Sequence, residues 1–160
     1  MGTLEEVDTE ALIRHALSEG KTVLLPYITP AADGSSRMAM TAIQNYDTDL
    51  HEGAFGILEP IEAKFAGADL NSAPAIKPDL ILIPGLAFDE RGGRVGKGKG
   101  FYDRYLDGKG GLKIGVAFEV QVLRKKLALE PHDKLLDGLV TERRILNFSR
   151  PAEAPQGPIG

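Results

Sequence analysis

The sequence predicts an α/β protein, a three-layer domain with a largely parallel sheet and helices on both faces. Three observations carry that expectation. Strand-like and helix-like segments alternate along the chain. The segment Asp79 to Ile83 holds four consecutive Leu or Ile residues between Pro78 and Pro84, the pattern of a buried parallel strand. A basic, glycine-rich loop then leads into a helix, and open sheets of this kind bind ligands beyond the carboxyl ends of their strands.

The elements follow in order. Asp8 or Thr9 can cap a helix from Glu10 to Glu19, where Leu12 and Ala16, and Ile13 and Leu17, fall four apart on one face. Gly20 is its natural stop. Thr22 to Leu25 reads as a buried strand ended by Pro26, Ala31 to Arg37 as a turn-rich loop, and Met38 to Ile43 as a second strand. Residues 44–78 show no clean periodicity, with loops expected at Gly56 to Pro60 and Asn71 to Pro78. Beyond the strand at 79–83, Phe101 to Leu106 reads as a helix broken by Gly108 to Gly111. Lys113 to Phe118 is a short strand, Val120 to Leu127 a helix, and Leu135 to Thr141 a final strand. A single Rossmann-like domain is therefore expected over residues 1–150. The tail 151–160, with three Pro and two Gly, is expected to be disordered.

Composition narrows the function classes. The chain has 160 residues, enough to bury a core, and no apolar run near the roughly 20 residues of a membrane helix. Its N-terminus, MGTLEEVDTE, is acidic and resembles neither a secretory nor a transit signal. Zero Cys excludes disulfides and thiolate metal sites and fits a reducing compartment. The net charge of −4 argues against nucleic-acid binding, which relies on a basic surface.

Positive charge is instead concentrated in one loop. Between Arg91 and Gly100 five of ten residues are Gly and four are Lys or Arg. Such a loop can curl its backbone N–H groups around an anion while the side chains supply charge. A helix opening at Phe101 points its partial positive end at the same place. Arg94, Lys97 and Lys99 can line a polyphosphate. Gly93 to Lys99 fits G-x-x-x-x-G-K, but Gly100 stands where the magnesium-binding Ser or Thr of that motif would be. A solvated surface hairpin is the competing reading of the loop. Asp103 and Asp133 are candidate magnesium ligands, or simply a first-turn helix acid and a turn residue. His15, His51 and His132 are isolated and lack zinc spacing.

The stretch IPGLAFDERGGRVGKGKGFYDRYL resembles the signature of the 5-formyltetrahydrofolate cyclo-ligase family, also called methenyltetrahydrofolate synthetases. The resemblance continues through GVAFEVQ at 115–121, PHDKLLDGLVTE at 131–142, GILEP at 56–60 and EEVDTEALI at 5–13. It implies ATP-driven closure of 5-formyltetrahydrofolate to 5,10-methenyltetrahydrofolate with one magnesium ion. By the same resemblance Arg94, Val95, Gly96, Lys97, Gly98, Lys99, Gly100, Phe101 and Tyr102 form the ATP-phosphate loop. Arg94, Lys97, Lys99 and Tyr102 take the catalytic roles. Lys97 to Phe101, with Met1 and Glu6, border the folate, and Asp103 and Asp133 match the metal ligands. A carboxylate such as Glu6 can accept two N–H bonds from a pterin's aminopyrimidine edge.

Lys97 replaces a frequent Arg and Phe101 a frequent Tyr. The N-terminal helix and strand expected of the family, with a Lys and an Arg that reach ATP, are not found before Met1. A shortened folate- or nucleotide-binding protein with little activity is thus the alternative expectation. A third reading, an α/β phosphosugar or acyl-transfer enzyme, shares only the architecture. The expected state is a monomer in the cytoplasm, a mitochondrial location remaining open. Self-association is open to it if a sheet edge is exposed.

Overall fold

The computed structural model describes residues 7–30, 33–53, 57–61, 77–98, 100–107, 110–131 and 133–148. The chain divides into two compact units, one spanning residues 8–77 and the other residues 78–160 together with 1–7. The expected tail and the break at Gly108 lie outside the described residues, as do Met1, Glu6, Lys99 and His132.

In the unit of residues 8–77, helix α1 runs over Glu10–Ser18 as its periodicity predicts. Thr9 is the N-cap residue without a side-chain cap bond, and Asp8 before it accepts from the Glu10 N–H through Oδ1 at 2.9 Å. Strand β1, Val23–Pro30, pairs antiparallel with β2, Ser36–Ile43, in a register from Val23↔Ile43 to Pro30↔Ser36. The expectation that Pro26 ends the first strand is corrected: it sits inside β1 opposite Met40. Among the described residues this sheet has two strands. Each has an unpaired edge where a residue lacking an N–H is tolerated.

A short helix α2, Tyr46–Asp49, starts at Asn45, whose Oδ1 accepts from the Asp47 and Thr48 N–H groups at 2.9 and 3.2 Å. Arg14 bonds both Glu10 and Asp47 at 2.8 Å, tying α1 to α2. Strands β3, Leu50–Glu52, and β4, Leu58–Pro60, then pair antiparallel. Residues 58–60 are therefore strand where a loop is expected. The strand is only three residues long, too short to show an alternation in sequence.

In the unit that begins at Pro78, strand β5, Leu80–Ile83, lies where the Leu/Ile run predicts it. A tight hairpin of β6, Ala87–Asp89, and β7, Arg94–Val95, follows. Helix α3, Phe101–Leu106, leads to β8, Leu112–Val116. A single 3₁₀ turn at Glu119–Gln121 and strand β9, Val122–Leu123, stand where a helix over 120–127 is expected. The reason is tertiary: β9 pairs parallel with β6, Phe88 opposite Val122, so the chain stays extended. Strands β10, Gly138–Val140, and β11, Ile145–Asn147, complete the unit.

These elements form a four-stranded sheet of order β11-β10-β8-β5 and a three-stranded sheet of order β7-β6-β9. β5, β8 and β10 run parallel, and β11 is antiparallel. The α/β class is borne out, whereas the regular alternation of strand and helix is not seen among the described elements. The sheets are mixed and separate, however, and the described residues contain three α-helices, two of them six residues or shorter. One face of the larger sheet carries the core, in which Ile81, Ile83, Phe88, Leu106, Ala117, Leu136 and Leu139 are buried together. Tyr102, Tyr105, Val122, Leu146 and Phe148 pack against them. On the opposite face the register partners Leu80 and Leu112 are exposed.

Candidate functional site

From the end of β5 the chain runs through β6 into the glycine-rich segment, beyond the carboxyl end of a parallel strand, the position at which such sheets place ligands. Its first half is not a loop. Arg94 and Val95, expected in the loop, lie on β7, opposite Phe88 and Ala87 of β6. The hairpin is closed by Leu86 N–H donating to Val95 C=O at 2.7 Å and Asp89 N–H to Gly93 C=O at 3.0 Å.

Asp89 holds the turn from within. It is 2% exposed, its Oδ1 accepts from the Arg91 and Gly93 N–H groups at 2.8 Å, and its Oδ2 accepts from Leu127 N–H at 2.8 Å. Burial alone would raise its pKa. The N–H bonds from Leu127, Gly93 and Arg91 outweigh burial and hold the carboxyl below its usual range.

The hairpin sets the direction of Arg94. Its Nη1 donates to Pro84 C=O at 3.2 Å, and its Nη2 reaches Asp103 Oδ1 and Oδ2 at 3.2 and 3.1 Å. The guanidinium also faces the Tyr102 ring, 5.6 Å from its centroid. The Arg94 and Asp103 side chains are only 6% and 18% exposed. In such a pair, loss of either partner leaves the other charge buried and costs about 3–5 kcal/mol. The structure thus brings Arg94, Tyr102 and Asp103 together.

The second half of the segment is a true loop. Lys97 on it is exposed. Gly98 and Gly100 adopt φ of +78° and +61°, left-handed conformations that favour residues without a Cβ. Gly100 directly caps α3, and Phe101 is covered by the Arg104 guanidinium, 5.3 Å from the ring centroid. α3 has only six residues, so the expected contribution of a helix dipole is small beside the side-chain cations and loop N–H groups.

Asp133 stands in the segment before β10. Its N–H donates to Glu130 C=O at 3.0 Å and its Oδ2 accepts from Glu130 N–H at 2.7 Å. Among the described residues no group of three or more His, Cys, Asp or Glu gathers around a point that could hold a metal. A magnesium ion does not need one, since it is usually held by one or two carboxylates plus water and phosphate oxygens. Each Asp103 oxygen accepts one bond from Arg94, which leaves lone pairs for a cation. The donor chemistry of Asp103 therefore fits that ion.

Two residues given no role by the sequence reading prove central to this geometry: Asp89 and Gln121. Gln121, 9% exposed on the 3₁₀ turn after β8, donates from Nε2 to Gly85 and Leu86 C=O at 2.9 and 3.4 Å. Its Oε1 accepts from Phe118 N–H at 2.8 Å. For Asp89 a local signal exists, since an Asp ahead of a Gly-Gly turn is a natural acceptor for turn N–H groups. For the grip of Gln121 on the turn none does, because Leu86 and Gly85 lie 35 and 36 residues away.

Farther along the strand ends, Arg144 bridges Glu90 and Glu119, both at 2.8 Å, and Thr141 Oγ1 donates to Glu119 at 2.8 Å. The bonds from Arg144 and then Thr141 hold the Glu119 carboxyl below its ordinary range.

Fold and site together define an α/β protein that gathers a shielded Arg–Asp pair and a basic glycine loop at the carboxyl end of a parallel strand. Comparison with known proteins makes this particular. The sequence profile of the 5-formyltetrahydrofolate cyclo-ligase family matches residues 1–142, and the chain belongs to that family. It is 31% identical over 155 residues to a protein of Schizosaccharomyces pombe named "Probable 5-formyltetrahydrofolate cyclo-ligase", covering 89% of this chain and 72% of that one. It is 34% identical over 159 residues to the mitochondrial 5-formyltetrahydrofolate cyclo-ligase of Arabidopsis thaliana, covering 90% of this chain and 57% of that one. The fold is similar to the NMR structure of Aquifex aeolicus 5,10-methenyltetrahydrofolate synthetase. The TM-score is 0.66 and the identity 33%, over 98% of this chain and 74% of that one.

Proposed function

We propose that this chain is an ATP-dependent ligase that converts 5-formyltetrahydrofolate to 5,10-methenyltetrahydrofolate, releasing ADP and phosphate. In this reaction the formyl oxygen attacks the γ-phosphorus of ATP and ADP departs. The N10 nitrogen then attacks the activated formyl carbon, the ring closes and phosphate leaves. Such chemistry asks the protein for alignment of two substrates and neutralisation of phosphoryl charge.

The observation that carries the reading is the Arg94–Asp103 pair, a shielded cation and carboxylate at the mouth of the basic loop. Arg94 is suited to hold phosphate oxygens, with Lys97 and Lys99 adding point charges and the loop N–H groups from Val95 to Tyr102 directing the phosphates. Lys97 to Phe101, with Met1 and Glu6, are assigned to the folate. Asp103 and Asp133 would hold one magnesium ion, which supplies further charge neutralisation when bound. The working compartment we assign is the cytoplasm, although the Arabidopsis relative is named as mitochondrial. Among the described residues no helix is long and apolar enough to cross a membrane.

The test is turnover of 5-formyltetrahydrofolate, followed by absorbance of the methenyl product, in the parent protein and in Asp103→Asn. A loss of about 10²-fold in kcat/KM is expected, as for other preorganised charge contacts. Equal turnover in both proteins would overturn the site. Folate binding without any ATP-dependent product would overturn the activity itself.

A further inference from the structure

The turn between β5 and β6 is gripped from two sides. Pro84 C=O accepts from Arg94 Nη1 at 3.2 Å. The next two carbonyls, of Gly85 and Leu86, accept from Gln121 Nε2 at 2.9 and 3.4 Å. Three consecutive backbone acceptors are thus taken by two side chains, one belonging to the proposed phosphate site and the other rooted 27 residues further along the chain. Gln121 is itself fixed at its other end, since its Oε1 accepts from Phe118 N–H at 2.8 Å. Immediately beyond it, Val122 pairs with Phe88, the strand neighbour of Arg94.

We propose that Gln121 is a positioning residue for the phosphate-binding Arg94, acting through the carbonyls of the Pro84–Leu86 turn. This rests on the functional reading given above. The physical argument is one of constraint. An Arg side chain carries several soft torsions, and its guanidinium is useful to a transferring phosphate only if held before the substrate arrives. Asp103 fixes one edge of that guanidinium and Pro84 C=O another. Pro84 C=O is a reliable support only if the turn carrying it cannot rotate. The peptide groups on its C-terminal side are locked by a neutral amide presenting a donor to them and an acceptor to Phe118. Gln supplies both functions without burying a charge. A Leu or Met of similar size would leave the two carbonyls and the Phe118 N–H to find other partners.

The decisive measurement is a double-mutant cycle on the dissociation constant of ATP with magnesium, by titration calorimetry, using Gln121→Met and Arg94→Ala singly and together. If Gln121 acts through Arg94, Gln121→Met weakens binding about tenfold in the parent protein and less than about twofold once Arg94 is absent. Additive effects would assign Gln121 to general structure and overturn the inference.

Gln121→Glu keeps the proposal testable if the Met variant does not fold. When protonated, its carboxyl offers one O–H donor in place of the amide's two, enough to hold one of the turn carbonyls, and keeps an acceptor for Phe118 N–H; when ionised it offers acceptors only. The ratio of its kcat/KM for ATP to that of the parent should rise as the pH is lowered, with KM changing more than kcat. A ratio independent of pH would overturn the proposal. Failure of the unmutated protein to bind ATP would reject the functional reading and this inference together, whereas additivity or a flat pH ratio rejects the inference alone.

Discussion

Replacing Asp89 by Asn removes one charge and turns one acceptor into a donor without changing shape. In the native protein the carboxylate accepts three backbone N–H bonds, from Arg91, Gly93 and Leu127, each at 2.8 Å. The Asn oxygen can keep the first two. Its amide group then faces the Leu127 N–H, donor against donor, at a site 2% exposed. Loss of a hydrogen bond to a charged acceptor costs about 1.5–3 kcal/mol, and a buried unsatisfied donor about 1–3 kcal/mol more. A total of about 2.5–6 kcal/mol corresponds to a fall of about 5–24 °C in melting temperature for a chain of this size.

The pH dependence follows from linkage. The folded-state pKa of Asp89 is depressed, so its stabilisation is present above the ordinary Asp value of about 3.9 and is lost as pH falls through the folded value. Asn does not titrate. The gap between the two proteins should therefore be widest near pH 7 and should close below about pH 4. Circular dichroism melts of both proteins from pH 7 down to pH 3 measure this. An Asn variant melting within about 1 °C of the parent at pH 7, or a gap that stays constant in acid, would refute the reasoning.

Two further substitutions test the packing and the loop. Gly115→Ala would place a Cβ 2.8 Å from Leu136 Cδ1 and from Leu139 Cδ1 and 2.9 Å from the Phe88 ring. Overpacking of about 1–3 kcal/mol is expected, read as a lowered denaturation midpoint in urea. Gly100→Ala forces a side chain into φ of +61°, 3.2 Å from Arg104 Nη1. The left-handed geometry costs an L-residue about 1–2 kcal/mol. Relief of that strain by reshaping the loop should appear as a raised KM for ATP, with a smaller change in the melting temperature.

What could be read in the sequence was whatever is encoded within a few residues. The Leu80 to Ile83 run marks a strand because four branched apolar residues follow one another in a short span bounded by two prolines. The same holds for α1, whose i, i+4 pairs and following Gly20 give both its face and its end. The glycine-basic pattern from Arg91 to Gly100 likewise marks a candidate anion site by composition alone. Residues 120–127 show where this reading fails. VQVLRKKL has the composition of a helix, yet Val122 and Leu123 are drawn into a sheet by Phe88 and Asp89, more than thirty positions earlier. Pro26 fails for a related reason: whether it ends a strand depends on which edge of the ribbon its nitrogen faces.

The sequence by itself determined the α/β class, the basic glycine loop with its acidic neighbour Asp103, and the signature that the family profile matches over residues 1–142. Only the tertiary structure decided that Arg94 is a strand residue paired with Asp103, that Asp89 is the buried tie of the hairpin, and that Gln121 bolts the adjoining turn. The physical reason is range. Propensity, turn chemistry and charge act between neighbours in the chain. Hydrogen bonds and ion pairs in a shielded site join groups brought together only after strands from distant segments have paired.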